Sequence, residues 1–298
     1  MVKVGFVGTG QVGATSAFAT LHVINCDEIA LLDVREDIAV GEAMDLETAA
    51  IVIGRDTVVR GGNDYALLKG SDIIVISAGI ARRPGMTRLD LDKTNAGIIS
   101  DIIKKMMPFC PNAIVVLVTN PVDVMTYVAY RISKKPRNEI LGVGSLHDTA
   151  RLIDELRKQG AENVETMMIG EHGDSMLPLK SQTRFSAVKA PVDWDRIVES
   201  LKERGMEIIK RKGATTYAPA SCVAAVVKAI VNNERKELSI NAVLNGEYGL
   251  RDIAIGVPAI VGKKGVEKIV EYDLSAEERR ELDKSASILK GFVHDALG

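Results

Sequence analysis

Lys3-Val4-Gly5-Phe6-Val7-Gly8-Thr9-Gly10-Gln11-Val12-Gly13 joins a short apolar run to a glycine-rich turn with the spacing G-x-G-x-x-G. The run before the turn has the character of a buried strand, and the residues after Gly10 can open a helix. Each glycine then has its own physical task. Gly8 permits the tight turn, Gly10 lets a pyrophosphate approach the backbone, and Gly13 lets helix and strand pack closely. The helix N-terminus at Gln11 and Val12 adds N–H groups and positive potential for a phosphate. By itself the motif is a weak signal, because a glycine-containing turn needs no ligand. Its context strengthens it. Asp33 ends the next apolar run, about 20 residues past Gly13, where a carboxylate accepts hydrogen bonds from an adenosine ribose. A dinucleotide-binding unit follows from this reading.

The same rhythm continues outward. Apolar runs at 28–33, 57–60, 72–77, 113–119 and 139–143 alternate with longer helix-like stretches. Ile73-Ile74-Val75-Ile76 and Ile114-Val115-Val116-Leu117-Val118 are apolar without a break, which suits strands covered on both faces of a parallel sheet. The expected class is α/β, with a doubly wound parallel sheet of Rossmann type over residues 1–143. Beyond 143 the pattern changes to helices near 148–159, 195–212 and 216–232, then strand-like runs at 237–244, 252–261 and 265–272. An α+β domain over 144–298 is expected there. Ser275-Ala276-Glu277-Glu278 is a capping box, followed by Leu282, Ala286, Leu289 and Val293 at helical spacing, so the chain closes on a helix.

Composition narrows the function class. A net charge of -2 over 298 residues offers no electrostatic footprint for nucleic acid. The basic clusters Lys134-Lys135-Pro136-Arg137 and Lys210-Arg211-Lys212 are short and read as helix ends. Cys26, Cys110 and Cys222 are widely spaced, with no CxxC pairing to suggest a metal site or a disulfide framework. No apolar run approaches the ~18 residues of a membrane span. The expected setting is the cytoplasm, with neither a nucleic-acid nor a membrane partner.

Four histidines limit the candidates for a general base at neutral pH. His22 and His294 fall on the first and last helices and read as surface or packing residues. His147 precedes Asp148, but successive helical residues point about 100° apart, so the two are poorly placed to pair. His172 lies in Gly170-Glu171-His172-Gly173-Asp174-Ser175, a polar turn whose glycines leave the imidazole uncrowded. A satisfied structural histidine is the competing reading. Asp148 and Arg151 are three apart, on one face of a helix. Ala78-Gly79-Ile80-Ala81-Arg82-Arg83-Pro84-Gly85-Met86-Thr87-Arg88 is too rich in arginine for a plain connector.

Taken in order, these stretches resemble the lactate/malate dehydrogenase family over essentially the whole chain. They are the glycine loop with Asp33, residues 78–89, Val118-Thr119-Asn120-Pro121, residues 148–151, residues 170–175 and Lys212-Gly213-Ala214-Thr215. The chain is most similar to the archaeal, lactate-dehydrogenase-like malate dehydrogenases. The resemblance implies NAD as cofactor and a small dicarboxylate, malate or oxaloacetate, as substrate. It assigns the proton transfer to His172, the support of that ring to Asp148, and the substrate carboxylate to Arg151. Arg88 would stabilise the reacting oxygen from a closing loop, and Arg82 would meet the second carboxylate, with Arg83 as the alternative. Asn120 would orient substrate and nicotinamide ribose beside a cis bond to Pro121, and Thr215 would line the pocket. A homodimer or homotetramer is implied.

There are departures and rivals. His147 stands where relatives usually carry an apolar residue, and Arg35, two past Asp33, could accommodate the extra phosphate of NADP. The alternatives are an L-lactate dehydrogenase, an NAD-dependent glycosidase holding a metal on cysteine and histidine, and a redox sensor without turnover. A sensor has no need of a proton relay.

Overall fold

The structure is a computed structural model that describes residues 1–81, 88–188 and 191–297. The apolar runs of the first half become β1 (Lys3–Val7), β2 (Glu28–Leu32), β3 (Val58–Gly62), β4 (Ile73–Ile76), β5 (Ile114–Leu117) and β6 (Ile140–Gly142). Between them lie α1 (Gln11–Val23), α2 (Glu36–Val52), α3 (Arg88–Met106) and α4 (Val122–Ser133). All six strands run parallel, in the spatial order β3-β2-β1-β4-β5-β6. β4 and β5 are buried along their whole length, as uninterrupted apolar strands require. The strand order reverses between β1 and β4. In a doubly wound sheet that reversal opens a crevice at the carboxyl ends of the strands.

The second half continues with α5 (Gly144–Lys158) and the short antiparallel pair β7 (Met168–Ile169) and β8 (Leu177–Pro178). Then come α6 (Trp194–Lys212), α7 (Tyr217–Val231), β9 (Lys236–Asn245), β10 (Arg251–Gly262), β11 (Gly265–Ile269) and α8 (Ala276–Leu297). The large sheet does not stop at residue 143. β9 lies antiparallel to β6, with Leu141 opposite Ala242 and Gly142 opposite Asn241, and β10 and β11 follow it to give nine strands. One hydrophobic core therefore runs from Phe6 on β1 to Ile255 on β10. Neither half's own pattern specifies this junction, because a long-range register is set only when the two halves meet.

α5 begins four residues before the start read from the pattern near 148. The reason is not local. Its early N–H at Ser145 donates to Oδ1 of Asn241 on β9 at 3.0 Å, a cap supplied from 96 residues away. The cap of α8 is local and forms as read. Ser275 N–H donates to Glu278 Oε2 at 2.8 Å, and Glu278 N–H to Ser275 Oγ at 3.2 Å. Among the described residues no single helix is long and apolar enough to cross a membrane.

Candidate active site

The glycine loop sits at the reversal between β1 and β4. Gly8 has φ +92°, and a Cβ there would lie 2.5 Å from the backbone nitrogen of Ala78. At Gly13 it would lie 1.8 Å from the Gly8 carbonyl oxygen, so any side chain would push α1 off the loop. Gly10 differs: its Cβ would meet nothing within 4 Å. That open side belongs to a cavity of about 700 Å³ lined by Gly8, Gly10, Asp33, Arg35, Tyr65 and Gly79. The Asp33 carboxylate in its lining is fixed by main-chain donors. Oδ2 accepts the Thr9 N–H at 2.8 Å and Oδ1 accepts the Arg35 N–H at 3.0 Å. The crevice, the bare backbone at Gly10 and the held carboxylate together fit a dinucleotide. Val12 follows in the first turn of α1, and Gln11 lines a separate cavity of about 500 Å³ with Phe18, Lys212 and Tyr217.

His172 follows β7 in a turn tied down from three directions. Gly170 N–H donates to the Gly256 carbonyl on β10 at 3.0 Å, and Glu171 N–H to Ser285 Oγ on α8 at 2.7 Å. His172 N–H donates to Asp123 Oδ2 on α4 at 2.8 Å. The ring rests on the start of α5, where a Cβ at Gly144 would come within 2.5 Å of His172 Cγ. Here Nδ1 meets Asp148 Oδ2 at 2.6 Å. Arg151, one turn further along α5, places Nη1 3.8 Å from Asp148 Oδ1. Its guanidinium is mostly buried, and Nε is without a hydrogen-bond partner. The structure thus joins His172, Asp148 and Arg151 across 24 residues of sequence.

The two neighbouring histidines are shifted in opposite directions. Burial works against a charged His172 ring, but the charge and hydrogen bond of Asp148, with the charge of Asp123, outweigh it and raise the pKa above the usual value. His147, whose ring centre lies 6.2 Å from that of His172, is pushed down to about 3 by burial, then by Arg151 and His172. His147 is therefore neutral at any physiological pH and cannot serve as an acid in its charged form. His22 and His294 are exposed.

The remaining sequence candidates are less gathered. Asn120 is exposed at the end of β5 and is joined to Pro121 by a cis bond, as the resemblance implied. Thr215 is half-buried between α6 and α7. Arg88 is the first residue of α3, while Arg82 and Arg83 lie outside the described residues. Sequence reasoning passed over Asn95 on α3, which ties this region together. Its Oδ1 accepts the Ile80 N–H at 2.9 Å and its Nδ2 donates to the Asn120 carbonyl at 2.8 Å. It also passed over Asp123, whose signal was an acid inside the apolar Val122-Asp123-Val124-Met125. Among the described residues no group of three or more His, Cys, Asp or Glu is placed to hold a metal ion, and all three cysteines are buried and unpaired.

Comparison with known proteins points to one family. The family model for the lactate/malate dehydrogenase NAD binding domain matches residues 2–142, and that for the lactate/malate dehydrogenase alpha/beta C-terminal domain matches residues 148–297. The chain is 49% identical to a malate dehydrogenase of Archaeoglobus fulgidus over 97% of both chains. Its structure is similar to that of malate dehydrogenase from the same organism in complex with NADH, with a TM-score of 0.96, 47% identity and full coverage of both chains. A lactate dehydrogenase from a Medee basin deep-sea metagenome is also similar, at 34% identity and a TM-score of 0.93 over 100% of this chain and 99% of that one. The backbone alone therefore does not separate the two substrates. By sequence and by fold, the chain belongs to the lactate/malate dehydrogenase family.

Proposed function

We propose that this protein is an NAD-dependent malate dehydrogenase, interconverting malate and oxaloacetate. The observation that carries this reading is the 2.6 Å contact of His172 Nδ1 with Asp148, with Arg151 one turn beyond. The glycine loop and Asp33 would hold NAD, which would supply the hydride acceptor for malate and, reduced, the hydride donor for oxaloacetate. The protein's own work is proton transfer and orientation. Because Nδ1 is committed to Asp148, Nε2 is the ring nitrogen left for substrate. It takes the proton of the malate hydroxyl in one direction and donates it to the oxaloacetate carbonyl oxygen in the other. Asp148 stabilises the imidazolium form between the two events, as in a catalytic triad. Arg151 grips the carboxylate next to the reacting carbon with its forked guanidinium.

The division at residue 143 follows this labour. Residues 1–143 hold the nucleotide through the glycine loop and Asp33, and 144–298 supply His172, Asp148, Arg151 and Thr215 to the substrate. From the first domain, Asn120 positions substrate and ribose, Arg88 stabilises the reacting oxygen, and Arg82 meets the far carboxylate. A guanidinium facing pyruvate instead would stay unpaired in a water-poor pocket. Losing one partner of a buried pair costs about 3–5 kcal/mol, roughly a hundredfold to a few thousandfold in rate ratio. Asp33 likewise favours the ribose hydroxyl of NADH over the phosphate of NADPH, which Arg35 only partly offsets.

We place the enzyme in the cytoplasm, since buried, unpaired Cys26, Cys110 and Cys222 suit a reducing compartment. We also propose that it works as a homo-oligomer. α2 buries Ala39, Ala43, Leu46 and Ala50 yet leaves Met44 66%, Ile51 74% and Val52 81% exposed. A helix apolar on both faces is stable when both are covered, and a second copy of this chain is the partner always at hand.

Three measurements check these statements. In initial-rate assays, kcat/KM is highest for NADH with oxaloacetate, and Arg82→Gln moves the oxaloacetate-to-pyruvate ratio toward pyruvate by at least about tenfold. An unmodified protein that prefers pyruvate contradicts the malate assignment, and a shift produced only by Arg83→Gln transfers the role to that residue. His172→Asn abolishes turnover in both directions while NADH still binds; near-normal rates would remove His172 as the base. Sedimentation equilibrium returns a mass at least twice the 32.1 kDa of one chain, and a value for one chain alone contradicts the oligomer.

A further inference from the structure

Asp123 has no part in the mechanism above, yet it is among the most buried charged residues of the protein, 1% exposed on α4. A carboxylate is retained at such a site only where partners offset its desolvation. Both its oxygens are occupied by donors. Oδ2 accepts the main-chain N–H of His172 at 2.8 Å, and Oδ1 accepts Nδ2 of Asn241, on β9, at 2.6 Å.

The direction of this chain of hydrogen bonds is forced. Asn241 Oδ1 accepts the main-chain N–H of Ser145 at 3.0 Å, and a main-chain N–H can only donate. The amide of Asn241 therefore presents its nitrogen to Asp123 and, at 3.1 Å, to Ser145 Oγ. His172 N–H also can only donate. Asp123 must thus accept on both sides, which an ionised carboxylate does and an amide does not. With an amide at 123, donor would face donor at Asn241, and turning the Asn241 amide over would only move the clash to Ser145 N–H.

We propose that Asp123 is a positioning residue that holds the main chain of His172 at the start of α5 through this one-way network from β9. The inference rests on His172 being the base. Each end of the network touches the proton relay. Ser145 lies in the first turn of α5, the helix that carries Asp148 and Arg151, and His172 carries the imidazole. One carboxylate thus sets the spacing between ring and aspartate. The charged and titratable groups around His172 are Asp148, Arg151 and neutral His147 from α5, Asp123 from α4, and Glu171 in its own turn. Burial pushes Asp123 up to about 7, opposed by the hydrogen bonds from His172 and Asn241, while its own charge favours the protonated ring.

The test is a pair of variants assayed beside His172→Asn, with NADH and oxaloacetate. D123N removes the charge and sets donor against donor at Asn241. Its kcat falls at least about tenfold while the Kd for NADH changes less than about twofold, because the nucleotide crevice is untouched. The pH midpoint governed by His172 falls as well, since a negative neighbour is lost. The swap D123N/N241D restores the pairing of donors with acceptors: Asn at 123 accepts from His172 and donates to Asp at 241, which accepts from Ser145 N–H, while the Ser145 hydroxyl turns from acceptor to donor. Its kcat returns to within about threefold of the parent. D123N with unchanged kcat and midpoint overturns the proposal. So does a swap variant that is unfolded, or folded but as slow as D123N. Should D123N fail to fold, the swap decides alone, because a folded and active swap supports the network and any other result overturns it. A fast His172→Asn overturns the base assignment and this inference with it, whereas a slow His172→Asn beside a fast D123N overturns this inference only.

Discussion

The 2.6 Å contact between His172 Nδ1 and Asp148 Oδ2 is the interaction on which the rest of the site depends. A buried imidazole left to itself would lose its proton readily, since desolvation penalises the charged ring. Asp148 reverses that preference and, by engaging Nδ1, leaves Nε2 as the nitrogen that the proposed mechanism turns to substrate. The folded pKa of His172 lies above its unfolded value, so the pair's full contribution to stability is present below about pH 6.5. It is lost as pH rises through the raised value. In the proposed mechanism the same coupling serves proton transfer, because the imidazolium that Asp148 stabilises is the form that donates the proton.

Much of the fold can be understood as support for that contact and for the crevice beside it. α5 brings Asp148 and Arg151 to one side, and β7 with its following turn brings His172 to the other. The antiparallel junction of β9 on β6 locks these elements to the parallel sheet that ends in the glycine loop. Nucleotide and substrate halves consequently share one core, so the relay and the crevice are placed relative to each other by a continuous sheet. Close packing marks places where the two halves touch. At Gly142 a Cβ would lie 3.1 Å from Cβ of Asn241, and at Gly265 2.1 Å from the Asn138 carbonyl oxygen.

Local signals made the nucleotide half legible. Uninterrupted apolar runs at Ile73–Ile76 and Ile114–Leu117, and glycines at fixed offsets after β1, each carry their meaning within a few residues. The cap of α8 was readable for the same reason. The relay was legible only in part. His172, Asp148 and Arg151 stood out as candidates, but their roles came from resemblance to a family, because nothing in three separated segments states that they meet. That His172 is shifted up and His147 down depends on burial and neighbouring charge, which are properties of the folded chain. Asp123 and Asn241 were invisible as a pair, being 118 residues apart, and so was the start of α5 that their network caps.

The claim that His172 is the group that holds the proton can be tested directly by following the imidazole resonances of the protein against pH by NMR, with and without Asp148→Asn. Four histidines make the assignment tractable by single substitutions. The account predicts that His172 titrates above the ordinary value of about 6.5, that its midpoint falls below that value in Asp148→Asn, and that His147 shows no transition at neutral pH. A His172 midpoint that is not raised, or that does not move when the charge of Asp148 is removed, would contradict it.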